Sequence, residues 1–213
     1  MQTHELIEAL AADTGRVPAG SLERRLALTA LAGAAAALVL VLAWLKLRPD
    51  LGHAVGGGFF WIKALYTVAL GAAGLWATVR LAQPYVSARP AFLIGFAAVA
   101  AFAIVGLIQF VSVDSYVRMA FLHGVSWQVC SRNIVILAAP MLVMSLWVLR
   151  WMAPTQPMLA GFAAGAFSGG VAATVYGLHC PEATFVFVAL WYTLGILASG
   201  LIGWVAGRFV LKW

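Results

Sequence analysis

Charge is what this 213-residue chain has least of: 9% of its residues are Asp, Glu, Lys or Arg, and seven residues in all are acidic. A soluble domain carries about a quarter charged residues, so an ordinary water-facing globule is excluded. No acidic residue falls inside a long apolar run, which removes the intramembrane carboxylate that ion-coupled transport normally needs. Cysteine is nearly absent as well. The chain has two, Cys130 and Cys180, and no C-x-x-C, which argues against a dithiol oxidoreductase of the usual kind. A basic stripe is also missing. The 13 Lys and Arg give a net charge of +6 but, apart from the pair Arg24-Arg25, stand singly near the ends of apolar runs, so membrane topology explains them better than nucleic acid does.

What the chain does have is apolar length. Hydrophobic residues make up 64% of it, and the mean hydropathy is +0.98. Six runs, at about 27–45, 60–80, 91–111, 133–151, 157–178 and 184–207, reach the roughly 20 residues that a spanning helix requires. Backbone groups in hydrocarbon must be satisfied within the segment, and these runs are too long for barrel strands. The expected fold is an all-α membrane protein, a six-transmembrane-helix bundle. A polar tail of about 26 residues precedes the first run, which ends in Trp44-Leu45-Lys46 rather than a small-residue cleavage site, so it reads as a retained anchor. Residues 1–26 then form a tail and residues 27–213 the membrane domain.

Placing the N-terminus inside puts eight Lys and Arg on the inner side and five on the outer; both termini are therefore expected in the cytoplasm. Trp44, Trp61, Trp127, Trp147, Trp151, Trp204 and Trp213 lie near expected helix ends, where amphipathic rings favour the interface. Lys63, within one turn of the start of the second run, is expected to snorkel its ammonium to the headgroups. Gly161, Gly165, Gly169, Ala173 and Gly177, and then Gly195, Ser199, Gly203 and Gly207, recur every four residues. Small residues at that spacing let backbones approach, so the fifth and sixth helices are expected to pack closely.

Chemistry concentrates in "YGLHCPEATF", Tyr176 to Phe185, where Pro181 is expected to end the fifth helix. Cys130 belongs to the third connection, about residues 112–132, an apolar stretch expected to lie on the membrane surface; Cys180 belongs to the fifth. Both connections are odd-numbered, so the thiols face one compartment, the exterior when the N-terminus is inside. Three readings stay open: a structural disulfide, a thiol switch, and a metal site built from Cys130, Cys180 and His179, with His123 or Glu182 as further candidates. Cys130, near the positive end of the fourth helix and close to Arg132, is expected to be the more reactive thiol, with protonated His179 modulating Cys180. Trp191 and Tyr192, about two turns along the sixth helix, either cover the loop or fill the bundle.

In the tail, residues 1–14 are expected to form a short amphipathic helix with Leu6, Ile7 and Leu10 on one face and acidic residues mostly elsewhere. A helix this short is marginal alone in water. Its acidic face suits a protein groove better than an anionic leaflet.

The segments "CSRN", mid-helix Pro140, "VLRWMAPTQPMLAGFAAGAFSGG", "VYGLHCPEATFVFVALWYTLGI" and "GRFVLKW" strongly resemble the NrsF family of bacterial inner-membrane anti-sigma factors, as does the opening "ELIEALAADTG". The resemblance implies a six-span inner-membrane protein that uses no cofactor. It implies a cytoplasmic N-terminal segment holding an ECF sigma factor of the sigma-F type; Leu6, Ile7 and Leu10, the apolar face of the tail helix, are then the expected contacts. It further implies periplasmic sensor cysteines, matched by Cys130 and Cys180, that respond to oxidants or thiophilic metals and release the sigma factor in a stress response. The alternatives from other classes are a small-solute or metal transporter and a membrane thiol oxidoreductase.

Overall fold

A computed structural model of the chain describes residues 3–13, 20–83 and 86–212. All regular structure among the described residues is helical. In chain order the helices are α1 (Thr3–Asp13), α2 (Ser21–Leu45), α3 (Leu51–Gly56), α4 (Gly58–Leu81), α5 (Arg89–Ser112), α6 (Ser115–His123), α7 (Trp127–Arg150), α8 (Pro157–Tyr176) and α9 (Phe185–Val210). Six stretches are long and apolar enough to cross a membrane, one for each run anticipated from the sequence. Their outer surfaces are apolar: Leu31, Leu65, Phe96, Val143 and Phe209 are each more than 60% exposed, which water does not tolerate over a whole surface and lipid does.

The third connection departs from expectation. It is shorter than residues 112–132 and holds a short helix, α6, turned at Gly124 into α7, which starts at Trp127. Cys130 therefore sits inside the first turn of a long helix rather than before it. Helix α8 stops at Tyr176, earlier than Pro181 requires. The Gly177–His179 turn closes it, with the His179 and Cys180 N–H groups donating to the Tyr176 carbonyl at 2.9 and 3.0 Å. Pro140, by contrast, is carried within α7 without ending it, as membrane helices tolerate when neighbours support the backbone.

Helix α8 is the axis of the bundle. Lipid offers helices no hydrophobic reason to associate, so close backbone packing must supply the contact. A Cβ on Gly161 would run into the Gly203 carbonyl oxygen of α9, and one on Gly170 into the backbone of Gly71 in α4. The four-residue stripes thus mark α8–α9 packing, as their spacing indicates. Helix α5 is peripheral, with only Ala91 and Gly106 buried among its residues.

Two buried clusters lie at opposite ends. One joins Leu22, Leu26, Ala82, Leu149 and Leu211; the other joins Val41, Tyr66, Cys130, Tyr176, Cys180 and Tyr192. The start of α2 and the end of α9 therefore meet at the end away from the thiols. Helix α1 is formed and Ile7 is exposed; the side chains of Leu6 and Leu10 and the linker at residues 14–19 lie outside the described residues.

Gly161→Ala is expected to destabilise the bundle by about 1–3 kcal/mol through overpacking. Gly95→Ala, whose added Cβ would meet only the Ala73 methyl at an ordinary 3.6 Å, is expected to be neutral or slightly stabilising. Thermal denaturation in detergent compares the two, and equal melting temperatures would contradict the packing account.

Candidate thiol site

Three connections converge at one end: residues 46–57, the turn between α6 and α7, and residues 177–184. Cys130 and Cys180 are free thiols, both fully buried, and lie within hydrogen-bonding reach of each other. The two cysteines that the sequence placed on one side are thus brought together.

Each element places a particular atom. Helix α9 contains a π-helical turn, Val188–Tyr192, which re-aims side chains relative to an α-helix. The Trp191 carbonyl accepts from Ser131 Oγ of α7 at 2.7 Å, and the Trp191 indole donates to the Leu122 carbonyl at 2.8 Å. The turn leaves Tyr192 fully buried, with its hydroxyl at Cys180, while Tyr176 of α8 meets Cys130 and Asn133. Neither hydroxyl makes a hydrogen bond of full geometry. Trp191 and Tyr192 therefore take different roles: Trp191 ties α9 to the α6 end, and Tyr192 lines the thiol pair.

Glu182 clasps the connection that leads to Cys130. Its carboxylate accepts from the Val125 N–H at 2.8 Å and from the Ser126 N–H and hydroxyl at 3.2 Å each. These are the orphan donors at the start of α7, where the positive dipole end favours an anion. Gly124 makes room for it: at φ +54 it occupies backbone space that other residues avoid, and a Cβ there would collide with the carboxylate.

Lys63 departs most from expectation. It does not snorkel to headgroups; it is 2% exposed, and its ammonium donates to the Cys180 and Glu182 carbonyls at 3.1 Å each. It also lies 5.6 Å from the centre of the Tyr192 ring. The loop folds down over the lysine, so the carbonyls come to the charge. Arg48 adds a second cation. It donates to the Cys180 carbonyl at 3.4 Å and forks onto Asp50 at 2.7 and 2.6 Å.

These neighbours favour the thiolate at Cys180, where the sequence favoured it at Cys130. The Cys180 thiol, in the connection between helices, is held down to about 6 from an ordinary 9.0. The hydrogen bond from Cys130 is the largest cause, with the Lys63 charge, the Tyr192 hydroxyl and the Glu182 N–H helping, against the opposing effect of burial. The helix dipole credited to Cys130 is spent on Glu182. His179 bonds the Lys46 carbonyl through Nδ1 at 2.8 Å, and the metal candidates do not converge. Among the described residues no three His, Cys, Asp or Glu side chains gather closely enough to hold an ion. Sequence reasoning took Lys63 for an interfacial residue and Glu182 only for a metal candidate; the signal for Lys63 was a lone cation within an apolar helix.

Glu182→Ala strips the start of α7 of its acceptor, at a cost of about 1–3 kcal/mol. Faster hydrogen exchange at Val125 and Ser126 is the expected result by mass spectrometry, and unchanged protection there would refute the clasp.

No solved structure matches the chain. Among curated proteins, the chain is 55% identical over 214 residues to the "Anti-sigma-F factor NrsF" of Caulobacter vibrioides, covering 100% of both chains. It is 39% identical over 219 residues to the "Probable anti-sigma-F factor NrsF" of Azospira oryzae, again covering 100% of each. Both names are those of regulators, and neither the transporter nor the oxidoreductase reading of the sequence matches them. The family described as NrsF, negative regulator of sigma F, matches residues 10–213, and the chain belongs to it.

Proposed function

We propose that this chain is an anti-sigma factor of the bacterial inner membrane. It holds an ECF sigma factor of the sigma-F type at the cytoplasmic face through residues 1–26 and releases it when Cys130 and Cys180 are oxidised on the periplasmic side. The six apolar helices span the bilayer with both termini inside. The outward-facing Leu, Val and Phe side chains and the eight-to-five Lys and Arg asymmetry support that placement. In the tail, Leu6, Ile7 and Leu10 enter a groove on the sigma factor.

One observation carries the reading: the loop bearing Cys180 is fastened to the end of α2, the helix that leads back to the tail. The Arg48 N–H donates to the Leu178 carbonyl at 3.2 Å, Arg48 Nη1 to the Cys180 carbonyl, and His179 to the Lys46 carbonyl. Helix α2 finishes there in a π-helical turn, Val41–Leu45, and Lys46 stands at φ 66. A non-glycine residue persists in that region only where its surroundings hold it. His179 thus serves as a fastener between the sensor loop and α2.

Oxidation links the steps. An oxidant of the peroxide class takes two electrons and two protons, leaving as water and an alcohol, and a sulfur–sulfur bond forms. That bond is about 2.05 Å long, shorter than any contact between free thiols, so the loop must move toward α7. Its bonds to Lys46 and Arg48 pass the movement to α2. Among the described residues no third metal-binding side chain joins the two apposed thiols, which favours a disulfide over a metal site among the three readings.

Reporter transcription from a sigma-dependent promoter tests the sensor. Cys130→Ser and Cys180→Ser are each expected to abolish induction by peroxide, and undiminished induction in both would exclude the thiols. Ile7→Asp removes an apolar anchor, which costs about 1–2 kcal/mol, or roughly tenfold in sigma occupancy. Raised basal transcription without oxidant is the expected outcome, and a basal level equal to wild type would remove Ile7 from the contact.

A further inference from the structure

An ammonium buried to 2% exposure is expensive unless something of opposite charge or strong dipole replaces its water. Around Lys63 the neutral contacts are the Cys180 and Glu182 carbonyls and the face of Tyr192. Two of its three N–H donors are thereby used, and the third has no oxygen or nitrogen acceptor among the described residues. The nearest carboxylate, that of Glu182, is committed to Val125 and Ser126. The Asp50 carboxylate is committed to Arg48, itself a cation facing the same carbonyl. Tyr176 and Tyr192 bring hydroxyls, not charge. Glu182 keeps its charge while bonded to the neutral donors of Val125 and Ser126, and the thiol of Cys180, the residue whose carbonyl Lys63 holds, is the further group at this junction able to carry negative charge beside the ammonium.

We propose that Lys63 is the resident counter-ion of Cys180: it pins the Cys180–Glu182 segment through its carbonyls and keeps the Cys180 sulfur a thiolate, so that Cys180 is the attacking sulfur and Cys130 the resolving thiol. The donors around Cys180 fit that assignment. Ser126 Oγ lies 3.8 Å from its sulfur, and Cys130 and Tyr192 stand within hydrogen-bonding reach, three groups able to donate to an anion. With a peroxide, the Cys180 thiolate attacks one oxygen and the O–O bond breaks. The alkoxide leaves as alcohol after taking the Cys130 proton, and a sulfenic acid remains. The Cys130 sulfur then displaces hydroxide from Cys180, which departs as water once protonated by solvent. Lys63 is a positioning residue here; it acts through the sulfur and undergoes no bond change.

The inference deepens the thiol-sensor reading, and its test does not depend on transcription. In the full-length chain in lipid nanodiscs, Cys130→Ser isolates Cys180 while keeping a hydroxyl donor. The infrared S–H stretching band then reports protonation of Cys180 without requiring reagent access to a buried site. At neutral pH the band is expected to be absent, appearing only as the pH is lowered into the acid range. Adding Lys63→Met should restore it at neutral pH and slow iodoacetamide labelling of Cys180 at least about tenfold; Lys63→Arg should leave it absent.

A band that persists in Cys130→Ser alone at pH about 8 overturns the proposal without any change at Lys63, so a misfolded Lys63→Met chain cannot shelter it. A band unmoved by Lys63→Met also overturns it, since a lysine needed only for packing would lower stability and leave the band in place. If the band behaves as expected but neither cysteine variant loses induction, the sensor reading fails and the ion pair stands.

Discussion

A buried ammonium has to be solvated by something, and that requirement organises the thiol end of this molecule. Lys63 enters the bundle one turn from the start of α4 and stays there because the 177–184 loop bends inward and lends it two carbonyl oxygens. The same bend brings Cys180 to Cys130, sets Glu182 on the donors at the start of α7, and leaves Leu178 and His179 to be gripped by residues 46–48. Charge solvation, helix capping and thiol apposition are thus one geometry. Moving that one loop would disturb several satisfied groups together.

The rest of the bundle supplies a frame against which that loop can move. Helix α8 meets α9 and α4 at glycines where even a methyl group would strike backbone, and interfaces packed that closely do not deform continuously. Helix α2 lacks contacts of that kind with α8. Its Gly33 makes room for the buried Met141 of α7, and it ends in a π-helical turn and a Lys46 at positive φ. The bundle therefore combines a closely packed pair at its centre with a helix whose end is tied to the loop of Cys180.

Much of the site was legible in the sequence, and the misses share one cause. Two cysteines in odd-numbered connections had to share a side, and four-residue glycine stripes had to pack against something. Lys63 was misjudged because distance from a helix end does not reveal whether a neighbouring loop folds over that end. Cys130 was credited with a helix dipole that Glu182, some fifty positions away in the chain, occupies instead. His179 was assigned to the nearest sulfur in sequence, whereas its ring bonds a carbonyl that follows α2. In each case the deciding partner was remote in the chain.

Composition and periodicity by themselves determined that the chain is helical, that it has six apolar stretches of spanning length, and that its two thiols lie toward one side. Backbone hydrogen bonding in an apolar medium leaves no other arrangement for such runs. Only the tertiary structure decided which thiol carries the lowered pKa, what solvates Lys63, and how the end of α2 is joined to the loop of Cys180. Those outcomes depend on distances between residues far apart in sequence, and electrostatic and hydrogen-bond energies change sharply over the few ångströms that folding alone sets.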